Sequence, residues 1–222
     1  MPQRLALFDL DNTLLAGDSD HAWGEFLIAQ QLVDESSHRQ KNDSFYQDYL
    51  NGELDIHAYV AFTLGPILAY SASERAKLHE HFMQQAVQPL LIDKAFDLVN
   101  AHKQQGDFTV IITATNSFIT DPIAKLFSVE QLLATDVELL DGKLTGRIAG
   151  IPCYQEGKVE KLKLWLKSLG SDLSLANSVF YSDSINDLPL LEQAYEAIAV
   201  DPDQELAKIS VEKGWQTLSL RG

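Results

Sequence analysis

Four short apolar runs, each followed closely by a polar residue, constrain the fold of this chain more than any other feature. They cover residues 5–8, 108–112, 179–181 and 197–200. Uninterrupted apolar runs of this length are typical of parallel strands that are buried on both faces. The polar residues that follow them are Asp9, Thr113, Asp183 and Asp201.

Helical patterns separate these runs. The predicted helices cover residues 91–105, 158–169, 187–194 and 203–213. Strands that alternate with helices predict an α/β fold with a Rossmann-like parallel sheet core covered on both faces. Because ligands bind at the carboxyl ends of the strands in such sheets, the polar residues at those ends are candidates for a functional site.

Residues 15–90 interrupt the alternation of strands and helices. They contain many helix-forming and aromatic residues and few strand-like runs, which predicts a helical insertion. We therefore expect two domains, a core from residues 1–14 and 91–222 and a helical cap from residues 15–90. Residues 137–145 have the pattern of a β-hairpin with a primed turn.

The charge balance excludes several classes of partner. The 222 residues carry a net charge of −15, and such a surface repels nucleic acid and anionic membranes. Cys153 is the only cysteine, so no intrachain disulfide can form. The N-terminus has the pattern of neither a signal peptide nor a membrane span, and we expect a soluble, cytoplasmic protein.

The segment from Asp9 to Leu14 contains the sharpest local motif. Asp9 and Asp11 lie two residues apart at the end of the first predicted strand. Two carboxylates so placed can converge on one Mg²⁺ ion, and one of them can attack phosphorus as a nucleophile. The alternative is an Asx turn at a strand end, because Asp-x-Asp occurs often by chance.

A second acidic motif follows the third predicted strand. Asp183 can add a ligand to the Asp9 site, with Asn186 and Asp187 as support behind it. Helix N-capping is the alternative, but a cap explains one of these three residues.

Two further positions suit an anion. Thr113 and the N–H of Ala114 can form a small cradle at the end of the second strand, although capping is again an alternative. Lys158 begins a helix, where a cation is disfavoured by the helix dipole, which suggests an anionic partner. A surface lysine is the alternative there.

In this order the four motifs resemble those of the haloacid dehalogenase-like hydrolase superfamily. In detail the chain is similar to the phosphoserine phosphatase-like group, which carries a helical cap after the first motif. The resemblance covers essentially the whole chain and implies a Mg²⁺-dependent phosphatase that passes through an aspartyl-phosphate.

The resemblance also implies a role for each motif residue. Asp9 would be the nucleophile, and Asp11 would be the general acid and then the base. The implied metal ligands are Asp9, the main-chain carbonyl of Asp11, and Asp183. The implied phosphate-binding residues are Thr113, Ala114 and Lys158, and the implied supports of the metal and the lysine are Asn186 and Asp187.

The substrate is less sharply indicated. Asp18 lies nine residues after Asp9, where phosphoserine phosphatases carry a glutamate that meets the substrate amine; a solvated turn is the alternative. Neither Arg39 nor Arg75 matches the arginine with which that group binds the substrate carboxylate, and Thr115 replaces its glycine. These differences favour an amino-alcohol phosphate such as histidinol phosphate over phosphoserine, since some members of the group are similar to histidinol-phosphate phosphatases.

Other functions remain open at this point. A phosphotransferase or mutase would use the same fold and motifs, and a non-catalytic phosphate-binding protein would keep the same residues without turnover. A small phosphorylated metabolite is the expected partner in all three cases.

Overall fold

A six-stranded sheet forms the centre of the computed structural model, which describes residues 3–222. Its order is β3-β2-β1-β6-β7-β8, and every pair of neighbours is parallel. The strands of the chain are β1 (Leu5–Phe8), β2 (Phe108–Asn116), β3 (Gln131–Thr135), β4 (Val137–Leu140), β5 (Lys143–Ile148), β6 (Ser178–Ser182), β7 (Glu196–Val200) and β8 (Gln216–Leu218). The prediction of an α/β fold with a parallel sheet is confirmed.

Helices connect the strands. They are α1 (Ser19–Ala29), α2 (Glu35–Leu50), α3 (Ile56–Leu64), α4 (Ala72–Phe82), α5 (Asp93–Gln105), α6 (Ser117–Phe127), α7 (Glu156–Leu169), α8 (Leu188–Leu191) and α9 (Gln204–Lys213). None of the helices within residues 3–222 is long and apolar enough to cross a membrane.

Strand β2 is longer than its apolar run. It continues to Asn116, which pairs with Thr135 of β3 after a shift of register that follows Ile112. Thr113 and Ala114 therefore lie inside the strand, and α6 begins directly after it. The predicted helix 187–194 is also shorter in the structure, where a 3₁₀ turn (Ile185–Asp187) leads into α8.

The hairpin of β4 and β5 stands apart from the central sheet. Asp141 and Gly142 form its turn with φ angles of 50° and 74°. Positive φ at both central residues is the mark of a type I′ turn, whose twist matches that of the two strands.

Four α-helices, α1 to α4, occupy the segment between β1 and α5. Trp23 of α1 and Phe82 of α4 are fully buried and belong to the same apolar cluster as Phe8 of β1. Leu54, Ile56 and Tyr59 form a separate small cluster at the start of α3. Helices α1 and α4 and the later part of α3, with Val60 and Leu64, are thus packed into the main core, while the junction of α2 and α3 has a small cluster of its own.

Candidate active site

The carboxyl ends of β1 and β6 bring two acidic motifs together. Asp9 follows β1 directly, and its N–H donates to the carbonyl of Tyr181 at 2.9 Å. Asp183 lies one position beyond β6, which pairs with β1. Two residues from distant parts of the chain therefore reach one edge of the sheet because their strands are neighbours.

Lys158 is buried between two carboxylates. Its Nζ lies 2.7 Å from Asp9 Oδ1 and 2.6 Å from Asp187 Oδ1, and Ser182 Oγ donates to Asp187 Oδ2 at 2.6 Å. Burial alone would lower the pKa of Lys158, but Asp187 and Asp9 raise it above its usual value. The ammonium group is therefore held in its charged form against Asp9.

Gly157 allows Lys158 to reach this position. A Cβ atom on Gly157 would lie 2.2 Å from the carbonyl oxygen of Pro152, so no other residue fits there without a shift of the backbone. The first turn of α7 can consequently pack close to the loop before it and direct Lys158 toward the strand ends.

Asp9 and Asp183 share the hydroxyl of Thr13. Thr13 Oγ1 lies 3.3 Å from Asp9 Oδ2 and 3.0 Å from Asp183 Oδ1, and it accepts from the N–H of Asp183 at 3.0 Å. Burial raises the pKa of Asp9 to about 7, against the lowering effect of Lys158. Burial and the nearby charge of Asp9 raise the pKa of Asp183 well above its usual value. Together the two carboxylates carry more negative charge than Lys158 balances.

Asp11 is held by two neutral donors. The hydroxyl of Thr115 donates to Asp11 Oδ2 at 2.8 Å, and the N–H of Ser19 donates to Oδ1 at 2.6 Å. Burial, followed by the charge of Asp18, raises the pKa of Asp11 to about 6. A carboxyl group with such a pKa can exchange a proton near neutral pH.

Thr113 and Ala114 lie at the same edge. Thr113 is buried, and its Oγ1 accepts from the N–H of Thr115 at 3.2 Å. The carbonyl of Ala114 accepts from the hydroxyl of Thr135 at 2.7 Å, which fixes the strand end. Both residues line the cavity described next, on the wall formed by β2.

A small cavity lies above these strand ends. The space open to the centre of a water molecule is about 30 Å³, room for roughly two waters. One part of its wall comes from the strand ends and the rest from the insertion. Its lining residues are Asp9, Asp11, Asp18, Asp20, Phe45, Tyr46, Tyr49, Leu54, Ile56, Tyr59, Thr113, Ala114 and Thr115.

Asp18 and Asp20 form an acidic side of the cavity. Asp18 caps α1 by accepting from the N–H of His21 at 2.8 Å, and Asp20 is 5% exposed with Asn116 Nδ2 at 3.4 Å. Burial raises the pKa of both carboxyls. For Asp20 the nearby charges of Asp18 and Asp11 add to the effect of burial, and its pKa lies well above the usual value. No lysine or arginine lines this cavity within the described chain.

The arginines of the insertion are occupied elsewhere. Arg39 pairs with Glu25 and Glu35 on the exposed surface. Arg75 is buried and donates to main-chain carbonyls, including that of Gly142 in the hairpin turn at 3.2 Å. Neither arginine lines the cavity, so neither offers a partner to a substrate carboxylate there.

Asn186 contacts the insertion. Its Nδ2 donates to the carbonyl of Tyr49 at 2.8 Å, and its Oδ1 accepts from Gln155 Nε2 at 3.2 Å. One hydrogen bond of its side chain therefore leads to α2 and another to the residue before α7, whereas Asp187, the next residue, holds Lys158.

Sequence reasoning did not identify Asp20, Thr115 or the aromatic residues of α2 and α3 as site residues. The spacing of the buried residues in α1 could have identified Asp20. Asp20, Trp23, Gly24 and Leu27 have the i, i+3, i+4, i+7 spacing of a buried stripe, and all four are buried. An acidic residue within such a stripe indicates a polar cavity beneath the helix.

The chain is similar to known proteins over most of its length. The family model described as haloacid dehalogenase-like hydrolase matches residues 6–192. The chain is 44% identical over 221 residues to a histidinol-phosphatase of Neisseria meningitidis serogroup C (strain 8013), covering 99% of this chain and 100% of the relative.

Solved structures show the same fold. A protein of unknown function from Bordetella pertussis Tohama I superposes with a TM-score of 0.91 at 44% identity, covering 99% of this chain and 100% of that one. A substrate-bound phosphoserine phosphatase superposes with a TM-score of 0.71 at 17% identity, covering 98% of this chain and 93% of that one.

The chain belongs to the haloacid dehalogenase-like hydrolase family. Within that family it is an enzyme of the phosphatase class, as its relatives are. The predictions of family and enzyme class are confirmed.

Proposed function

We propose that the chain is a Mg²⁺-dependent phosphomonoesterase that acts on a small phosphorylated metabolite through an aspartyl-phosphate. The observation that best supports this proposal is the buried pairing at 2.7 Å of Lys158 with Asp9, which lines the cavity. A carboxylate that is fixed beside a permanent cation is prepared to meet an anionic phosphoryl group.

The chemistry is divided between two carboxyl groups. Asp9 attacks phosphorus, and the bond from phosphorus to the leaving alkoxide breaks. Asp11, with a pKa of about 6, donates its proton to that alkoxide. It then takes a proton from a water molecule, which attacks the aspartyl-phosphate, releases phosphate and restores Asp9.

The acidic groups fit a divalent cation. Asp9 and Asp183 place carboxyl oxygens 3.3 Å and 3.0 Å from Thr13 Oγ1, so two carboxyl groups lie side by side there. No three His, Cys, Asp or Glu side chains within residues 3–222 converge on one point, but Mg²⁺ commonly takes one or two carboxylates together with substrate phosphate. Asp9, Asp183 and the main-chain carbonyl of Asp11 would hold it. The bound ion would supply positive charge toward the phosphoryl oxygens.

Thr113, the N–H of Ala114 and Lys158 are the proposed phosphate contacts, and Asp187 positions Lys158. We assign this positioning role to Asp187 because it forms a 2.6 Å ion pair with Lys158. For Asn186 we propose support of the same loop, through the hydrogen bonds that tie it to Tyr49 of the insertion and to Gln155 of the core.

The proposed substrate class is an amino-alcohol phosphate such as histidinol phosphate, and phosphoserine is the second candidate. Asp18 and Asp20 can bind an ammonium group, and the surrounding aromatic residues can pack against a ring. A substrate carboxylate finds no arginine or lysine in the cavity wall within the described residues. The 44% identity to a protein named histidinol-phosphatase also favours the first candidate.

Phosphate release from a panel of phosphate esters tests the proposal. The panel contains histidinol phosphate, phosphoserine, sugar phosphates and nucleotides, each with Mg²⁺ and with excess chelator. We expect turnover with Mg²⁺ and none with excess chelator. We expect kcat to fall at least about a thousandfold in Asp9→Asn, because the amide is not a nucleophile. Release without an added acceptor also separates hydrolysis from phosphoryl transfer to a second substrate.

Asp9→Asn is isosteric, so an unchanged circular dichroism spectrum is the control for folding. The proposal fails if the folded wild-type chain with Mg²⁺ releases no phosphate from any ester, or if Asp9→Asn retains full turnover.

A further inference from the structure

The junction of α2 and α3 with the core contains a group of hydrogen bonds that the proposed reaction does not use. Gln155 lies immediately before α7, and its Nε2 is 3.2 Å from the carbonyl of Gly52. The same nitrogen lies 3.2 Å from Asn186 Oδ1 and 3.1 Å from the hydroxyl of Tyr154. One side-chain amide thus joins the insertion to two positions of the core.

The backbone of Gln155 is strained. Its φ and ψ angles are 49° and −123°, a region that favours glycine. A residue with a Cβ atom in this conformation costs stability, and glycine would relieve that cost. We therefore expect the contacts of the Gln155 side chain to offset the free-energy cost of its backbone conformation.

The segment that Gln155 holds is suited to movement. The α2–α3 junction packs through its own small cluster around Leu54, Ile56 and Tyr59, whereas α1, α4 and the later part of α3, with Val60 and Leu64, belong to the main core. Elements with a small separate core open at a lower free energy than the rest of a domain. The same junction forms part of the cavity wall.

The contacts continue from this junction to the nucleophile. Asn186 Nδ2 binds the carbonyl of Tyr49 at 2.8 Å. The next residue, Asp187, holds Lys158, and Lys158 holds Asp9. A short series of hydrogen bonds, with the peptide link between Asn186 and Asp187, thus connects the insertion to the carboxylate of Asp9.

We propose that Gln155 is a positioning residue that fastens the α2–α3 junction over the cavity through its amide contacts with Gly52 and Asn186. In this position it holds the wall of the cavity closed over bound substrate and keeps the loop of Asp187 in place. Gln155 does not line the cavity, so its effect on the reaction passes through these contacts. The inference builds on the proposed function, because closure matters for the substrate of that site.

Three variants separate the contacts of Gln155 from its backbone strain. We expect KM for the best ester of the panel to rise about fivefold or more in both Gln155→Ala and Gln155→Gly, with a smaller change in kcat, because the closed state is less populated. Gln155→Gly should have a higher Tm than Gln155→Ala, because only glycine relieves the strain. Gln31→Gly is the matched control: Gln31 is exposed with φ of 57°, and its variant should keep the wild-type KM.

Hydrogen exchange of the amides of residues 49–54 gives a readout that needs no activity. We expect faster exchange there in Gln155→Ala than in the wild type, both with Mg²⁺ present, and no change in Gln193→Ala, which removes an exposed glutamine from the surface of the core. If the wild type releases no phosphate, the proposed function fails and this exchange experiment still decides on Gln155. Unchanged exchange in Gln155→Ala overturns the inference, whether KM rises or not.

Discussion

The strand ends and the insertion form two sides of the cavity region, and they differ in whether their buried carboxylates are paired with a cation. At the strand ends, Lys158 lies within 2.7 Å of Asp9 and Asp187, so buried carboxylates are paired with a buried cation. On the side of the insertion, Asp18 accepts from the main-chain N–H of His21 and Asp20 lies near the amide of Asn116, and no lysine or arginine of the described residues lines the cavity beside them. In the proposed function the first side meets the phosphoryl group, and the negative potential of the second suits a positively charged part of the substrate.

The same difference bears on how an acidic protein would bind a phosphate ester. The net charge of −15 repels an anionic substrate at long range, so the proposed site needs local positive charge. Lys158 and the donors of the strand ends supply part of it, and the proposed Mg²⁺ would supply the rest. An ammonium group on the other end of the substrate would be attracted by the acidic side. A substrate with both charges therefore matches the cavity better than a simple anion.

Removal of Lys158 should have the largest effect. Lys158→Met leaves Asp9 and Asp187 buried without their cation, so we expect a loss of about 3–5 kcal/mol in the free energy of unfolding. We also expect kcat to fall about a hundredfold or more where the variant is still folded. Urea unfolding and phosphate release measure the two effects.

Lys163→Met on the same helix is the control, since Lys163 makes an exposed contact with Gln193 and should change stability by about 0.5 kcal/mol or less. Equal losses of stability in Lys158→Met and Lys163→Met would contradict the conclusion that Lys158 neutralises buried carboxylates at the strand ends.

Asp11→Asn should stabilise the chelator-treated protein in a pH-dependent way. The pKa of Asp11 is raised to about 6 in the folded state from a usual value of 3.8, so the folded state binds the proton more tightly than the unfolded state does. The ionised group therefore costs stability above about pH 6, and this cost disappears below about pH 4. We expect the variant to exceed the wild type at pH 8 by no more than about 3 kcal/mol.

Thermal unfolding of both proteins at pH 4.5 and pH 8 measures this difference. Asp43→Asn is the control for the change from carboxylate to amide, because Asp43 is exposed beside His21. A gain in stability for Asp11→Asn that is the same at both pH values would show that the charge of Asp11 is not its cause.

Asp20→Asn should have the smallest effect and the most selective one. A charge-assisted hydrogen bond to an ammonium group contributes about 1.5–3 kcal/mol, so we expect KM for an amino-alcohol phosphate to rise about tenfold or more. The matching ester without the amine should keep its KM. If both esters lose the same factor, Asp20 supports the fold of the site and does not bind the amine.

The sequence predicts the parallel sheet because buried parallel strands leave clear apolar runs. It also predicts that the motifs lie at the carboxyl edge of the sheet, because they follow those runs. It does not reveal β3 or β8, which are short and partly exposed. The length of β2 also escapes it, since polar residues from Thr113 to Asn116 continue the strand through pairing with β3. Pairing of this kind depends on the neighbouring strand and leaves no local pattern.

The site shows the same division. Asp9, Asp11, Lys158 and Asp187 follow strands or begin a helix, so their position along the chain predicts that they converge. Their roles in the reaction stay predictions, as does the division of the chain into a core and a cap. The contacts of Gln155 arise only when the insertion meets the core, and no sequence pattern precedes them.

The selectivity between two phosphate esters tests the central claim most directly. The measurement is kcat/KM for histidinol phosphate and for phosphoserine, with Mg²⁺ and under identical conditions. We expect histidinol phosphate to be preferred by about a hundredfold or more, because the carboxylate of phosphoserine would face Asp18 and Asp20 without a cation. An equal or greater kcat/KM for phosphoserine would contradict the account of the acidic side.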